Sequence, residues 1–192
     1  MLKLYGSTTS PYVRRIRMLL ANVEHDFISM QIFAGDDREH LMSKNPTLKI
    51  PMLEDAEDII FDSRVIFRYL SEKYALPTLT WRQENLLSVI DAINDSLVQL
   101  FLLKRSEIDS SDDKLYFKLQ KERIDESFGF LNDAAEQGEF KHWEYPAICL
   151  FCLLDWSVFR QLADVSKYGA LMEFLSNNKE RIDAASTDPR NG

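Results

Sequence analysis

Four hydroxyl side chains lie directly in front of a proline near the start of the chain, in the segment Ser7-Thr8-Thr9-Ser10-Pro11. The apolar run before them, residues 2–5, predicts a strand. Proline suits the first turn of a helix because it has no N–H to leave unbonded. The hydroxyls are therefore expected at the positive end of a helix dipole, which favours anions. A thiolate is such an anion, and a serine or threonine hydroxyl can donate a hydrogen bond to it.

The elements that must position this loop follow the order β-α-β-α-β-β-α. Apolar residues at three- and four-residue intervals predict a buried stripe on the helix that Pro11 opens. Its arginines, Arg14, Arg15 and Arg17, mostly fall outside that stripe. Short strands are expected at 27–30, after Pro51 and at 59–61, with a short charged helix near 36–43. Asp62 or Ser63 can cap the helix that follows.

Beyond Tyr74 the pattern changes, because 75–78 interrupts the periodicity and only helical spacing follows. Helices are expected at 81–103, 113–136, 147–162 and 168–182, with a polar break at 106–113 and a frayed polar tail at 185–192. The sequence therefore predicts two domains: an α/β domain at 1–75 and an all-α helical bundle at 80–192.

Composition excludes several classes of partner. The chain has 192 residues and a net charge of −8, so it lacks the basic surface that binds nucleic acid, and we expect no nucleic-acid partner. No uninterrupted apolar run approaches the roughly eighteen residues of a membrane span, and the start does not resemble a signal peptide. Two cysteines are too few for a disulfide framework. We expect a cytoplasmic protein with no membrane partner.

Two other patterns are interpreted as structural. Cys149 and Cys152 have the spacing of a redox or zinc half-site, but they lie in an apolar helical run with no second cysteine pair, which favours the core. His25, His40 and His142 are scattered without the spacing of a triad or a metal site. No metal is therefore expected.

Four short motifs occur in order along the chain: Thr9-Ser10-Pro11-Tyr12-Val13-Arg14, Asn45-Pro46, Lys49-Ile50-Pro51 and Asp62-Ser63. In this order and spacing, and followed by a helical domain, they resemble the cytosolic glutathione S-transferases, in particular small bacterial members with a serine-type loop. The resemblance implies a thioredoxin-like first domain and glutathione as a co-substrate without a metal. It also implies a homodimer and a role in detoxification.

The resemblance also implies how the tripeptide binds. The proline at the position of Pro51 is cis in the family, and the main chain of the residue before it, here Ile50, pairs with the cysteinyl part of glutathione like an added strand. Asp62 and Ser63 would hold the γ-glutamyl end at a helix N-terminus. Lys49 resembles a basic residue near the other end of the peptide.

Magnitudes decide how the thiol is ionised. A thiol pKa of about 8.5 must fall by roughly two, or about 2.7 kcal/mol, for the thiolate to dominate at neutral pH. A helix end supplies about 0.3–1 kcal/mol, and a hydrogen bond to a charged acceptor adds about 1.5–3 kcal/mol. One hydroxyl beside the helix end therefore suffices.

The identity of that hydroxyl stays open. Ser10 stands just before the proline, where omega-type members and glutaredoxins carry a reactive cysteine, and Thr9 falls where theta- and delta-type members carry their serine. Ser10 is preferred as the catalytic residue and Thr9 is the alternative. Tyr5, Ser7 and Thr8 are further candidates.

The sequence thus predicts a glutathione transferase that presents the thiolate to a small-molecule electrophile, a peroxide or a disulfide. The alternative is a non-catalytic protein of the same fold, a regulator or interaction module like the stringent-starvation-type proteins or a translation elongation subunit. Retention on immobilised glutathione discriminates between the two.

Overall fold

The computed structural model describes residues 1–109 and 113–191, which form two compact units. The first unit is Met1–Thr78 together with the residues from Glu180 onward, and the second is Leu79–Lys179. We had expected the second domain to run to residue 192. The segment from Glu180 instead groups with the first unit.

The first unit is built on one mixed sheet of order β2-β1-β3-β4. Its strands are β1 (Leu2–Gly6), β2 (His25–Ser29), β3 (Met52–Asp55) and β4 (Asp58–Phe61). β1 pairs in parallel with β2, and β3 is antiparallel to both β1 and β4. Three helices alternate with the strands: α1 (Pro11–Leu19), α2 (Gly35–Lys44) and α3 (Ser63–Tyr74). The predicted β-α-β-α-β-β-α order and thioredoxin-like α/β architecture are confirmed.

Alternation along β1 divides the core of this unit between the two faces of the sheet. Tyr5 packs with Leu41 of α2 and with Met30 and Met52 in one buried cluster. Leu4 is fully buried, and because strand side chains alternate it lies on the opposite face. α1 and α3 pack against each other and against the sheet.

The polar end of the chain also belongs to the core of the first unit. α8 (Ile182–Ser186) and a 3₁₀ turn at Pro189–Asn191 follow Glu180. Arg14 of α1 is buried, and its guanidinium donates to the Thr187 hydroxyl at 3.2 Å and to the Ala184 carbonyl at 2.9 Å. The expectation of a frayed tail was wrong, because these bonds fix the segment in place.

The arginines of α1 correct a second expectation. Arg14 and Arg15 are both buried, although the spacing of apolar residues placed them outside the buried stripe. The Arg15 guanidinium lies 4.8 Å from the centre of the Tyr12 ring. Helical spacing identifies the face that packs on the sheet, but it cannot detect a polar segment that covers the opposite face.

The second unit is helical, as predicted. Its helices are α4 (Trp81–Arg105), α5 (Leu115–Glu136), α6 (Tyr145–Arg160) and α7 (Gly169–Asn178). α4 packs against α5 and α6, and α7 packs against the same two helices. The predicted helix at 168–182 is instead α7 followed by the separate α8, and residues 110–112 of the predicted polar break lie outside the described residues.

α6 forms the centre of this unit. Its residues from Tyr145 to Ser157 are all buried, including Cys149 and Cys152, which supports the structural interpretation of the two cysteines. Among the described residues, α4 alone is long and apolar enough to cross a membrane by length and composition. That is weak evidence, because the core helix of a soluble protein passes the same test. α4 packs against two neighbouring helices.

Candidate functional site

The register of the sheet brings the predicted site segments to one end. Tyr5 of β1 pairs with Met52 of β3, and Met52 pairs with Phe61 of β4. The hydroxyl loop follows β1, Ile50–Pro51 precedes β3, and Asp62 follows β4. Neighbouring strands are about 4.8 Å apart, so these three segments leave the sheet within about 10 Å of one another.

Ser10 is the N-cap of α1. Its extended backbone, with φ −84° and ψ 126°, turns into the helix, and its Oγ accepts a hydrogen bond from the Val13 N–H at 3.3 Å. A serine hydroxyl has one donor and two acceptor positions, so capping leaves its proton available. Ser10 can thus cap the helix and donate to an anion at the same time.

Thr9 is arranged differently. Its hydroxyl lies 3.2 Å from the Ser7 hydroxyl, with which it shares a hydrogen bond, and the Ser7 oxygen also accepts from the Thr9 N–H at 3.4 Å. The Ser10 N–H donates to the Ser7 carbonyl at 3.2 Å. The loop is therefore a tight turn in which Ser7 organises both neighbours.

Gly6 lets this turn lie close to α1. A Cβ at Gly6 would stand 2.4 Å from Cγ2 of Val13, well inside van der Waals contact. Val13 is fully buried and its N–H is the one that Ser10 caps. The absence of a side chain at Gly6 therefore allows the end of β1 to lie this close to the first turn of α1.

Asn45 organises the segment that leads to β3. It is fully buried, its Nδ2 donates to the Lys49 carbonyl at 2.9 Å, and its Oδ1 accepts from the Thr47 N–H at 2.9 Å and the Thr47 hydroxyl at 2.8 Å. Leu48 adopts a φ of 57°, in the left-handed region that favours glycine. The Asn45 bonds on either side of Leu48 hold this conformation.

The segment ends at Ile50 and Pro51, directly before β3. The Ile50–Pro51 peptide bond is cis, and the Ile50 side chain packs on the buried cluster around Tyr5. Within residues 1–109 and 113–191 no hydrogen bond involves the Ile50 main chain. The Lys49 side chain is exposed and forms no ion pair with any described residue.

Asp62 is the N-cap of α3. Its Oδ1 accepts from the Arg64 N–H at 2.9 Å and the Val65 N–H at 3.2 Å, and the Phe61–Asp62 peptide bond is cis. Ser63, the first residue of α3, is buried. Both capping hydrogen bonds end on Oδ1. Oδ2 of the exposed carboxylate takes no part in the cap.

Tyr5, a further candidate donor, forms a hydrogen bond with Glu54. Its side chain is buried, and its hydroxyl donates to Oε2 of Glu54 at 3.3 Å. Burial and the neighbouring Glu54 carboxylate raise the pKa of the Tyr5 hydroxyl. The Tyr5 hydroxyl therefore donates its proton to Glu54 rather than to a ligand at the end of the sheet.

Two residues that organise this region are not indicated as such by the sequence. Asn45 was recognised only as part of a motif, although an Asn-Pro pair is a turn signal and asparagine commonly bonds the main chain two residues on. Arg38 bridges two loops by donating to the carbonyls of Ile32 at 3.2 Å and Leu48 at 3.5 Å. No pattern in the sequence indicated Arg38, because both acceptors are main-chain atoms.

No group of three or more His, Cys, Asp or Glu side chains in the described part of the chain is arranged to hold a metal ion.

Comparison with known proteins identifies the first unit. The family model for the glutathione S-transferase N-terminal domain matches residues 4–78. Glutathione S-transferase 4 of Zea mays is 40% identical over 76 residues, which are 38% of this chain. Residues 4–78 of the chain are therefore similar to the N-terminal domain of glutathione S-transferases. The matched segment spans about a third of the maize protein, 34% of its length.

Similarity over the full length of the chain is lower. An uncharacterized GST-like protein of Escherichia coli, YibF, is 28% identical over 98% of both chains. A glutathione S-transferase of Methylobacillus flagellatus, solved with GSH bound, superposes with a TM-score of 0.84 at 21% identity over 97% of this chain and 98% of that one. A glutathione transferase family member of Pseudomonas fluorescens, solved with bound S-(propanoic acid)-glutathione, gives 0.81 at 23% identity over 98% and 100%. These likenesses establish the fold.

Proposed function

We propose that the chain is a glutathione transferase that binds the tripeptide at the end of the sheet where β1, β3 and β4 meet the three site segments. The observation that carries this proposal is that no described residue forms a hydrogen bond with the main chain of Ile50, beside the cis Ile50–Pro51 bond. Support also comes from the bound ligands of the Methylobacillus and Pseudomonas proteins.

Ile50 offers what an extended peptide needs. A main-chain N–H and C=O that have no other partner can bind an extended peptide main chain as in an added strand. The cysteinyl residue of glutathione has the complementary pair of groups. Because Asn45 holds the Lys49 carbonyl, the segment is fixed before the ligand arrives, which lowers the entropy lost on binding.

The charges at the two ends of glutathione have counterparts in this chain. The α-amino group of the γ-glutamyl residue pairs with the Asp62 carboxylate, and its α-carboxylate lies at the N-terminus of α3 beside Ser63. The glycyl carboxylate pairs with the exposed ammonium of Lys49. In this orientation the cysteinyl sulfur lies toward the hydroxyl loop.

Ser10 then stabilises the thiolate that forms when the thiol loses its proton to solvent. Its hydroxyl donates to the thiolate while its oxygen keeps the cap on Val13, and the N-terminus of α1 adds its dipole. Thr9 is the alternative donor. The thiolate attacks a small electrophile, forming a carbon–sulfur bond as the leaving group departs. Alternatively it attacks a peroxide oxygen, breaking the O–O bond to give the glutathione sulfenic acid and an alcohol, or a disulfide sulfur, breaking the S–S bond to give a mixed disulfide and a released thiolate. We further propose a cytoplasmic homodimer that acts in detoxification.

Isothermal calorimetry with glutathione tests the proposal. We expect saturable binding that weakens in Asp62→Asn and Lys49→Gln and is unchanged in Lys44→Gln, which removes an exposed charge at the end of α2. Turnover of an aryl halide and of an organic hydroperoxide follows as a second measurement.

Well-folded protein that neither binds glutathione nor is retained on immobilised glutathione would overturn the proposal. Under that outcome, capture of one specific protein would favour the non-catalytic alternative.

A further inference from the structure

The end of the chain covers the helix whose first turn carries the proposed thiolate donor. We name residues 180–191 the strap; they group with the first unit and contain α8 and the 3₁₀ turn. The strap accepts two hydrogen bonds from the Arg14 guanidinium, at 3.2 Å on the Thr187 hydroxyl and at 2.9 Å on the Ala184 carbonyl. Arg14 and Thr187 are only 4% and 5% exposed. The outer side of α1 and the strap therefore share a buried polar contact, which water does not weaken.

Arg14 and Ser10 belong to the same turn of α1. The Arg14 N–H donates to the Ser10 carbonyl at 3.0 Å, and the Val13 N–H donates to Ser10 Oγ at 3.3 Å. The Val13 side chain lies against Gly6 on the inner side, and the Arg14 side chain reaches the strap on the outer side. The turn that positions the Ser10 hydroxyl is thus anchored on both sides.

α1 depends on such anchors because it is short. It has nine residues, and helices of fewer than about 12–15 residues are marginal in water without tertiary contacts. The dipole of the helix favours an anion only at a terminal turn that is formed. Loss of the outer anchor should therefore let the first turn fray and carry the Ser10 hydroxyl away from a bound thiolate.

The strap is itself held by few contacts. α8 has five residues, of which Ala184 is buried, while Ile182 at its start is 88% exposed. Ala185 and Ser186 are exposed as well. A segment that buries so little surface opens at a lower free energy than the whole fold. The strap therefore has a docked and an undocked state, and the Arg14 guanidinium is solvated in the undocked one.

A second charged group of the strap favours the docked state. Burial raises the pKa of the Asp188 carboxyl, but hydrogen bonds from Arg190 and the positive charges of Arg190 and Arg14 lower it overall. The ionised Asp188 carboxylate therefore lies near enough to Arg14 to stabilise the contact between α1 and the strap.

We infer that strap docking and glutathione binding favour each other through the first turn of α1. The docked strap orders this turn through Arg14, and a thiolate bound at the turn keeps the strap docked. The inference rests on the proposed glutathione site; it adds Arg14 as a positioning residue and the strap as the element that regulates the site. Such coupling is reciprocal, because each event changes the equilibrium of the other by the same factor.

Calorimetry with glutathione on matched variants of the full chain tests the coupling. Ala184→Arg places a charged side chain at a position that is 1% exposed, and it should undock the strap without changing any residue of α1. Ala185→Arg adds the same charge one residue later, where the side chain is exposed, and should bind like the parent. We expect the dissociation constant of Ala184→Arg to be at least about fivefold higher, the lower end of the range for coupled sites.

Two further readouts separate positioning from a general loss of stability, with circular dichroism verifying the fold of each variant. The pKa of the bound thiol, from thiolate absorbance at saturating glutathione, should be higher in Ala184→Arg than in Ala185→Arg, because the hydroxyl donor is displaced. In the parent, saturating glutathione should slow hydrogen exchange at the α8 amides, such as the Ala185 N–H that donates to the Arg181 carbonyl. The slowing should match the factor by which Ala184→Arg raises the dissociation constant.

The outcomes distinguish this inference from the proposed function. Equal dissociation constants in folded Ala184→Arg and Ala185→Arg overturn the inference and leave the proposed function intact. The same holds if α8 exchange does not respond to glutathione in a parent that binds it. That measurement needs no substitution, so it decides the question even if Ala184→Arg fails to fold. A parent that does not bind glutathione overturns both.

Discussion

Ser10 combines two roles that substitutions can separate. Its oxygen caps α1 and its proton is proposed to stabilise the thiolate of bound glutathione. Ser10→Ala removes both. Loss of the cap should lower the free energy of unfolding by about 1 kcal/mol. Loss of a hydrogen bond to a charged acceptor, about 1.5–3 kcal/mol, should raise the pKa of the bound thiol by about one to two.

Ser10→Asp isolates the donor role. Aspartate is as good an N-cap as serine, so the stability of α1 should be retained. An ionised carboxylate has no proton to donate and repels the thiolate, so the pKa of the bound thiol should rise at least as far as in Ser10→Ala. Ser10→Thr keeps both functions and serves as the conservative control.

The assay is the ultraviolet absorbance of the thiolate, titrated against pH with glutathione saturating each variant, alongside chemical denaturation. Thr9→Val, titrated in parallel, tests the alternative donor. If the thiol pKa is unchanged in both Ser10→Ala and Ser10→Asp while glutathione still binds, the role of Ser10 in ionisation is wrong. If the pKa of the bound thiol rises only in Thr9→Val, Thr9 is the hydrogen-bond donor to the thiolate.

Three further predictions concern the first unit. Gly6→Ala places a Cβ 2.4 Å from Val13 and should cost about 1–3 kcal/mol of stability, measured by denaturation, together with weaker glutathione binding. Arg14→Met removes two buried hydrogen bonds to the end of the chain and should cost about 2–3 kcal/mol, with faster amide exchange in α8. Hydrogen bonds, first from Lys73 and then from Tyr69, lower the pKa of Asp55. The ionised carboxylate therefore stabilises the fold near neutral pH, and this stabilisation is lost as the pH falls through the lowered pKa. Asp55→Asn should reduce the loss of unfolding free energy that is measured as the pH is lowered.

Each of these predictions has its own control. Combining Gly6→Ala with Val13→Ala relieves the clash, so the double variant should lose less stability than the sum of the two single variants; strict additivity would contradict the close approach. Arg14→Lys retains charge but not the fork of donors and should recover only part of the loss. If Asp55→Asn loses as much unfolding free energy at low pH as the parent, that loss belongs to another carboxylate.

The sequence anticipated the parts of the fold that depend on local signals. Pro11 and Asp62 mark helix starts that the structure retains, because proline geometry and aspartate capping act within one turn. The change from strands to helices near Tyr74 was also visible, since it is a change in the period of the apolar residues.

What could not be predicted depends on contacts between distant residues. Arg14 is a charged side chain outside the apolar stripe, and its acceptors lie 170 and 173 residues away. The tail is polar in composition, yet Ala184, Thr187 and Pro189 are buried. Composition predicts exposure on average, but a few small or polar residues bonded to one buried guanidinium reverse that expectation.

The bonds between Arg14 and the end of the chain have a consequence for synthesis. Translation proceeds at about 5–20 residues per second, so Ala184 leaves the ribosome roughly 10–30 s after Arg14. During that interval the Arg14 guanidinium of the nascent first unit is hydrated, because Ala184 and Thr187 have not yet been made. The surface of α1 that carries Arg14 is exposed to solvent. The amino-terminal half of the molecule therefore completes its own core only after the helical half has been made.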